Sequence, residues 1–283
     1  MSQTLVIGAD GQLGQELVAL LKEKGMDFYE TTRKDLDITD SKAVQAIFYH
    51  LKPKVVYLCA AYTAVDEAEG KGKKLNWQVN VEGTENVARA ASKYGATLIF
   101  LSTDYIFNAK DDSPLAVDEK EEPINAYGLA KAEAERRIRE ICQAYYIVRT
   151  SWVIGVYGHN FLKTMCRLAK TNQQLTVVDD QRGRPTWTKT LGRFLIYLQE
   201  SGADYGTYHL ANEGSCSWYE LASYILKDQA IEVVPVTSEA YKRPAKRPAY
   251  SILDLSKTKA LGFKIETWQE AVDLILKDLS TRD

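Results

Sequence analysis

Tyr127 and Lys131 stand four residues apart in INAYGLAKAEAE (residues 124–135), and no other tyrosine of the chain is followed by a lysine at that interval. On a helix, residues four apart share a face, so a phenol and an ammonium could act together on one bound molecule. The chemistry open to such a pair is carbonyl reduction, which needs a hydride at carbon and a proton at oxygen. A free tyrosine has a pKa near about 10 and gives up its proton reluctantly at neutral pH. A neighbouring ammonium stabilises the phenolate and makes the phenol a better donor, each pKa unit being worth about 1.4 kcal/mol. Thr103, in STDYIF, could hydrogen-bond the same carbonyl oxygen. A nicotinamide would supply the hydride, which the protein only has to aim.

A second motif provides for that cofactor. Gly8, Gly11 and Gly14 lie in TLVIGADGQLGQELVALL between an apolar strand and an amphipathic helix. Glycines there allow a tight turn, close approach of the backbone to a pyrophosphate, and close packing of helix on strand. The next strand should end in the residue that reads the adenosine ribose, Asp or Glu for NAD and Arg for NADP. YETTRKDLDITD offers Thr32, Arg33 and Lys34 at that point, so charge complementarity favours NADPH, while Glu30 keeps NADH possible. Asp37 and Ile38 could lie alongside the adenine, or could equally lead into the cap of the helix in TDSKAVQAI.

These residues need a scaffold that brings them to one place. Short apolar runs alternate with helix-length amphipathic segments, from TLVIG through QELVALLKEKG, SKAVQAIFYHLK and KVVYLCAA to TLIFL and YYIVR. That rhythm predicts an α/β fold, a Rossmann-type doubly wound parallel sheet. Polar clusters AAYTAVD, STDYIF and TSW follow three of the strands, where an open α/β sheet binds its ligands. After about residue 155 the rhythm loosens. The expected division is therefore a dinucleotide-binding domain over 1–150, with a returning segment near 186–212, and a smaller α/β C-terminal substrate-binding portion over 151–283.

Bulk properties narrow the class. Lys plus Arg total 36 against 38 Asp plus Glu, for a net charge of -2, so no nucleic-acid partner is expected. Apolar runs are strand-length, too short to span a bilayer, and MSQTLVIGADG lacks the plan of a signal peptide. A cytoplasmic protein with no membrane association is the simplest expectation. Cys59, Cys142, Cys166 and Cys216 form no C-x-x-C and read as reduced packing residues. The acidic stretch AKDDSPLAVDEKEEP reads as a solvated loop.

Taken together, the glycine loop, AAYTAVDEAE, STDYIF, YGLAKAEAE, RTSWVIG, NFLKTM, DQRGRPT and RPAYSILDLSK resemble the dTDP-4-dehydrorhamnose reductase family, a branch of the extended short-chain dehydrogenases/reductases. The resemblance implies reduction of the 4-keto group of dTDP-4-dehydro-L-rhamnose to dTDP-L-rhamnose, a precursor of bacterial surface polysaccharides. It implies that Tyr127 donates the proton, that Lys131 supports it and holds the nicotinamide ribose, and that Thr103 orients the oxygen. Gln12 and Leu13 resemble residues touching the pyrophosphate, Asp37 and Ile38 the adenine neighbours, and Ala60, Ala61 and Tyr62 the segment lining the cofactor. Thr103, Asp104 and Trp152 look like substrate contacts, with Asn160, Arg184 and Arg247 as candidates for the nucleotide half. Some relatives dimerise through a magnesium ion held by glutamates. Glu16 matches one such position, but Lys189 stands where another is needed, so the expectation is no metal and a monomer or weak homodimer. Sugar-nucleotide dehydratases of the same superfamily carry Thr-Asp-Glu where this chain has Thr103-Asp104-Tyr105, which argues against dehydration. Alternatives kept in view are another nucleotide-sugar reductase or epimerase, and a non-catalytic protein like the regulatory subunit of methionine adenosyltransferase.

Overall fold

Short runs of β-branched and aromatic residues make the sheet, and amphipathic helices cover it. The computed structural model describes residues 4–281. The first half supplies β1 (Thr4–Ile7), β2 (Phe28–Thr31), β3 (Val55–Leu58), β4 (Thr97–Thr103) and β5 (Tyr145–Thr150). They are joined by α1 (Gln12–Glu23), α2 (Ser41–Leu51), α3 (Val65–Ala68), α4 (Lys73–Trp77), α5 (Thr84–Tyr94) and α6 (Ala126–Ile141). A late strand, Gly206–His209, completes a six-stranded sheet in the order Gly206–His209, β5, β4, β3, β1, β2. Every neighbouring pair is parallel. This is the doubly wound Rossmann-type arrangement. Connections leave β1 and β3 in opposite directions, which opens a crevice at their carboxyl ends.

The two-residue period of a strand divides the core in two. Leu5, Ile7, Val56, Leu58, Leu98 and Phe100 pack against α2, α5 and α6 on one face. Their alternates Val6, Tyr57, Ile99, Tyr146 and Val148 pack against α1 and α8 (Thr188–Ser201) on the other. Between α4 and α5 the chain widens into a π-helical turn, Gln78–Gly83, a departure from α-helical register that is frequent at functional sites.

The chain beyond β5 divides its packing. Helices α7 (Phe161–Ala169) and α9 (Trp218–Ile225) and the helix Trp268–Ser280 enclose a third core around Leu162, Met165, Trp187, Leu221 and Val272. Strand Gln174–Val178 pairs in parallel with Glu232–Val236. The segment KTLGRFLIYLQESG returns as α8 against the first half, and TYHLAN supplies the late strand paired with β5. All four cysteines are free. Among the described residues, no helix is long and apolar enough to cross a membrane.

Phe194 on α8 is fully buried in the core on the α1 and α8 face of the six-stranded sheet. Phe194→Ala is therefore expected to destabilise the whole sheet by about 3–5 kcal/mol, read as a lowered denaturant midpoint with a single transition.

Candidate active site

The glycine loop joins β1 to α1. Gly8 has φ +87, and a Cβ there would lie 2.6 Å from the Ala60 nitrogen, so the loop can pack on the end of β3 only because residue 8 is glycine. A Cβ on Gly14 would meet the Gly8 carbonyl oxygen at 2.1 Å, whereas one on Gly11 would meet only that same oxygen, at 3.3 Å. Gly11 is also the N-cap of α1 and offers no side-chain cap, which leaves first-turn N–H groups available to an anion. Gln12 Nε2 is buried without a partner. The loop therefore fits a pyrophosphate. Gly158, from the second half of the chain, closes on it: a Cβ there would lie 3.0 Å from the Gln12 Cβ.

At the end of β2, Asp35 accepts from Thr32 N at 2.8 Å and Thr32 Oγ1 at 2.7 Å, which shapes a turn presenting Arg33 and Lys34 to solvent. Arg33 is 72% exposed at its side chain and lies 3.9 Å from Asp37. Asp37 accepts from Thr39 N and Oγ1, hydrogen bonds that hold its carboxyl below the usual range. Asp40 then caps α2 by accepting from Lys42 N and Ala43 N. Ile38 is buried in the core, with Gly83 of the π-helical turn against it. The stretch thus serves as the lead-in to α2.

Thr103, Asp104 and Tyr105 lie at the carboxyl end of β4. Thr103 Oγ1 donates to Asp104 Oδ1 at 3.0 Å and accepts from Tyr105 N. The Tyr105 ring meets that of Tyr127 edge to face, with centroids 6.2 Å apart and planes at 87°. Asp104 is buried, and its Oδ2 has no partner. Burial lifts its carboxyl to about 6, against the opposing hydrogen bonds of Ser251 and Thr103. Tyr127 and Lys131 occupy one face of α6. Lys131 is 2% exposed, with Nζ 3.9 Å from the centre of the Phe100 ring, and burial draws its ammonium down to about 7. Burial also raises the Tyr127 phenol, reinforced by Asp104 and Tyr105. The sequence argument has Lys131 acidifying the phenol. Desolvation dominates both groups, leaving Tyr127 protonated as a donor must be.

The first turn of α6 is tied down from three directions. Asn125 caps it by accepting from Gly128 N and reaches back to donate to the Lys246 carbonyl. Glu69 accepts from Ala126 N at 2.7 Å. Asn76 donates to the Ala126 carbonyl, and Asn80 donates to Asn76 and to the Tyr62 carbonyl while accepting from Tyr62 N. Asn76 and Asn80 thus connect the segment Ala60, Ala61 and Tyr62 after β3 to the helix of Tyr127. Sequence reasoning missed them; the available signal was two asparagines at helical spacing in NWQVNVEGTEN.

Candidates for the substrate side are placed unequally. Trp152 has a left-handed backbone, φ +47, and stacks on Trp218 at 3.7 Å and 13°, with Gly183 making room for its ring. One face of its indole is thus already covered. Asn160 caps α7 and donates to the Gly155 carbonyl. Arg184 donates to the Gly214 carbonyl, while its Nε is buried without a partner. Arg247 forms a two-pronged pair with Asp66 of α3, both distances 3.0 Å. These last three side chains all make contacts that hold the fold.

With this geometry in view, comparison with known proteins is decisive. The family described as RmlD substrate binding domain matches residues 2–281. This chain belongs to that family. It is 38% identical over 283 residues to the spore coat polysaccharide biosynthesis protein SpsK of Bacillus subtilis, covering 99% of each chain. It is 41% identical over 277 residues to a dTDP-4-dehydrorhamnose reductase of Streptomyces griseus, covering 95% of this chain and 91% of that one. Among solved structures it matches the dTDP-4-dehydrorhamnose reductase of Bacillus anthracis in complex with NADP, with TM-score 0.94, 38% identity, and coverage of 98% and 100%. In this member of the RmlD family, Glu16 is buried in α1 and accepts from Thr188 Oγ1 at 2.7 Å. Among the described residues, no group of three or more His, Cys, Asp or Glu is disposed to hold a metal ion.

The raised Asp104 carboxyl has a consequence for stability. A group that binds its proton more tightly when folded stabilises the protein at low pH and loses that contribution as pH rises through the folded value. Asp104→Asn cannot ionise, so its stability relative to wild type should improve between pH 4 and pH 7 by up to about 3 kcal/mol. Parallel urea titrations at the two pH values would read this, and an unchanged difference would contradict it.

Proposed function

We propose that this chain reduces the 4-keto group of dTDP-4-dehydro-L-rhamnose to dTDP-L-rhamnose, with NADPH as reductant and NADH as a possible substitute. What supports this reading is Thr103 at the end of β4, Tyr127 and Lys131 one turn apart on α6 with the Tyr105 ring against Tyr127, and a first loop that fits a pyrophosphate, in a chain of the RmlD family. The relatives' names supply the substrate class, and the NADP held by the Bacillus anthracis enzyme agrees with Arg33 and Lys34 standing exposed after β2.

Gly8, Gly11, Gln12, Leu13 and Gly14 hold the pyrophosphate, with Arg33 at the ribose phosphate, Asp37 and Ile38 at the adenine side, and Ala60, Ala61 and Tyr62 along the cofactor. A nicotinamide held there would supply the hydride for the sugar carbonyl carbon. Thr103 hydrogen-bonds the carbonyl oxygen, and Tyr127 transfers its proton there as the negative charge develops. The resulting phenolate is stabilised by the Lys131 ammonium, which the same reading places at the nicotinamide ribose. Asp104 and Trp152 contact the sugar, and Arg184 and Arg247 face the nucleotide half, with Asn160 fixing the turn beside it. In this reading residues 1–150 and the returning segment serve the cofactor, and residues 151–283 mainly serve the substrate. The protein works in the cytoplasm, as a monomer or weak homodimer, without metal, nucleic acid or membrane.

Loss of nicotinamide absorbance with dTDP-4-dehydro-L-rhamnose should depend on the sugar and run faster with NADPH than with NADH. Tyr127→Phe should retain NADPH binding while turnover falls by about 10²–10⁴. Wild-type turnover in that variant, or no sugar-dependent oxidation by a protein that binds NADPH, would contradict the reading.

A further inference from the structure

The face of α6 that carries Tyr127 and Lys131 continues one turn further to a carboxylate. Glu135 is 0% exposed, and it lies four residues beyond Lys131, the spacing at which Lys131 follows Tyr127. Buried carboxylates are costly unless paired, and this one is paired twice. Arg149 of β5, itself 2% exposed, places Nε 3.0 Å from Oε1 and Nη2 2.7 Å from Oε2. Arg139 donates to Oε2 as well. Arg149 also donates to Glu121 at 3.0 Å and to the Val117 carbonyl at 2.7 Å, and Arg139 lies 3.1 Å from Glu121. Two arginines and two glutamates thus form a closed, neutral cluster that fixes the Glu135 carboxylate behind Lys131. The cluster also fastens residues 117–121 of the acidic stretch.

Charged groups on other elements packed against α6 are engaged elsewhere, Glu85 of α5 with Arg89 and Arg137, and Asp66 of α3 with Arg247. From β4 Lys131 meets the Phe100 ring, and from the turn after β4, Asp104 and Tyr105 act on Tyr127. From β5 comes Arg149, a cation paired with Glu135. On the late strand, burial and then Arg149 push His209 down to about 3, so its imidazole is neutral. Four residues along the same helix face, Glu135 stands next to Lys131, where a carboxylate opposes the effect of burial on an ammonium.

We propose that Glu135, locked in place by Arg149, is a positioning residue that keeps Lys131 in its ammonium form beside Tyr127. This rests on the reading of Lys131 as the partner of Tyr127. The carboxylate cannot swing away, because both of its oxygens are engaged by a planar guanidinium. Its field therefore acts on Lys131 in every catalytic cycle.

The test is the pH dependence of kcat/KM for the keto-sugar with NADPH. Activity that needs the Lys131 ammonium falls as pH rises through that group's titration. Glu135→Gln should move this alkaline limb to lower pH by about one unit or more, and Glu135→Asp, which keeps the charge, should restore most of the shift. If Glu135→Gln does not fold, the double variant Glu135→Gln/Arg149→Met leaves no guanidinium unpaired at that site and should show the same downward shift. A wild-type limb in a folded Glu135→Gln or double variant would overturn the inference, however low its activity. Lys131→Met separates the two claims. Loss of turnover there upholds the site reading whatever the Glu135 variants do, and wild-type turnover there would remove the site reading itself.

Discussion

An ammonium group buried at the carboxyl end of a parallel sheet is the constraint around which this molecule is arranged. Lys131 gives up hydration and receives in return an aromatic face at 3.9 Å and the field of one carboxylate. Burial of an unsupported lysine would neutralise it. The first turn of α6 is held by Glu69, Asn76 and Asn125, and the turn after Lys131 by the pair of Glu135 with Arg149. Between those two anchor points the helix has little freedom to let Tyr127 and Lys131 drift apart. Their rigidity is a property of the surrounding side chains, two of which, Glu69 and Asn76, come from segments distant in sequence.

The sequence and the structure agree where the signal is local. The alternation of strands and helices was legible because strand residues alternate between two covered faces, so Leu5 and Ile7 point one way and Val6 the other. Gly8, Gly11 and Gly14 were legible because their spacing specifies a turn geometry, and Tyr127 with Lys131 because helical spacing places them on one face. What could not be read were pairings across long separations: Asp66 with Arg247, Glu135 with Arg149, and Asn76 with the Ala126 carbonyl. A single sequence contains no distance information about such partners. The π-helical turn Gln78–Gly83 was missed for another reason, since its residues read as an ordinary continuation of an amphipathic helix.

The residues proposed for the cofactor and those proposed for the substrate rely on different physics. At the cofactor end, backbone geometry does most of the selecting: glycines permit close approach, an uncapped helix start presents N–H groups, and Arg33 and Lys34 add charge at the rim. At the end proposed for the substrate, side chains are already engaged with one another, as in the stack of Trp152 on Trp218 and the pair of Arg247 with Asp66. Such groups are preorganised, so less ordering entropy is lost when a ligand arrives. The strained backbone of Trp152 is consistent with a residue held in place by its surroundings.

The most direct measurement of the central claim follows the reducing hydrogen itself. The chain would be incubated with NADPH carrying deuterium at both C4 positions of the nicotinamide and with dTDP-4-dehydro-L-rhamnose, and the product examined by NMR. The account predicts one deuterium at C4 of the rhamnose ring, with the hydroxyl proton there drawn from Tyr127 and ultimately from solvent. Product lacking deuterium at C4, or deuterium at another ring carbon, would contradict it.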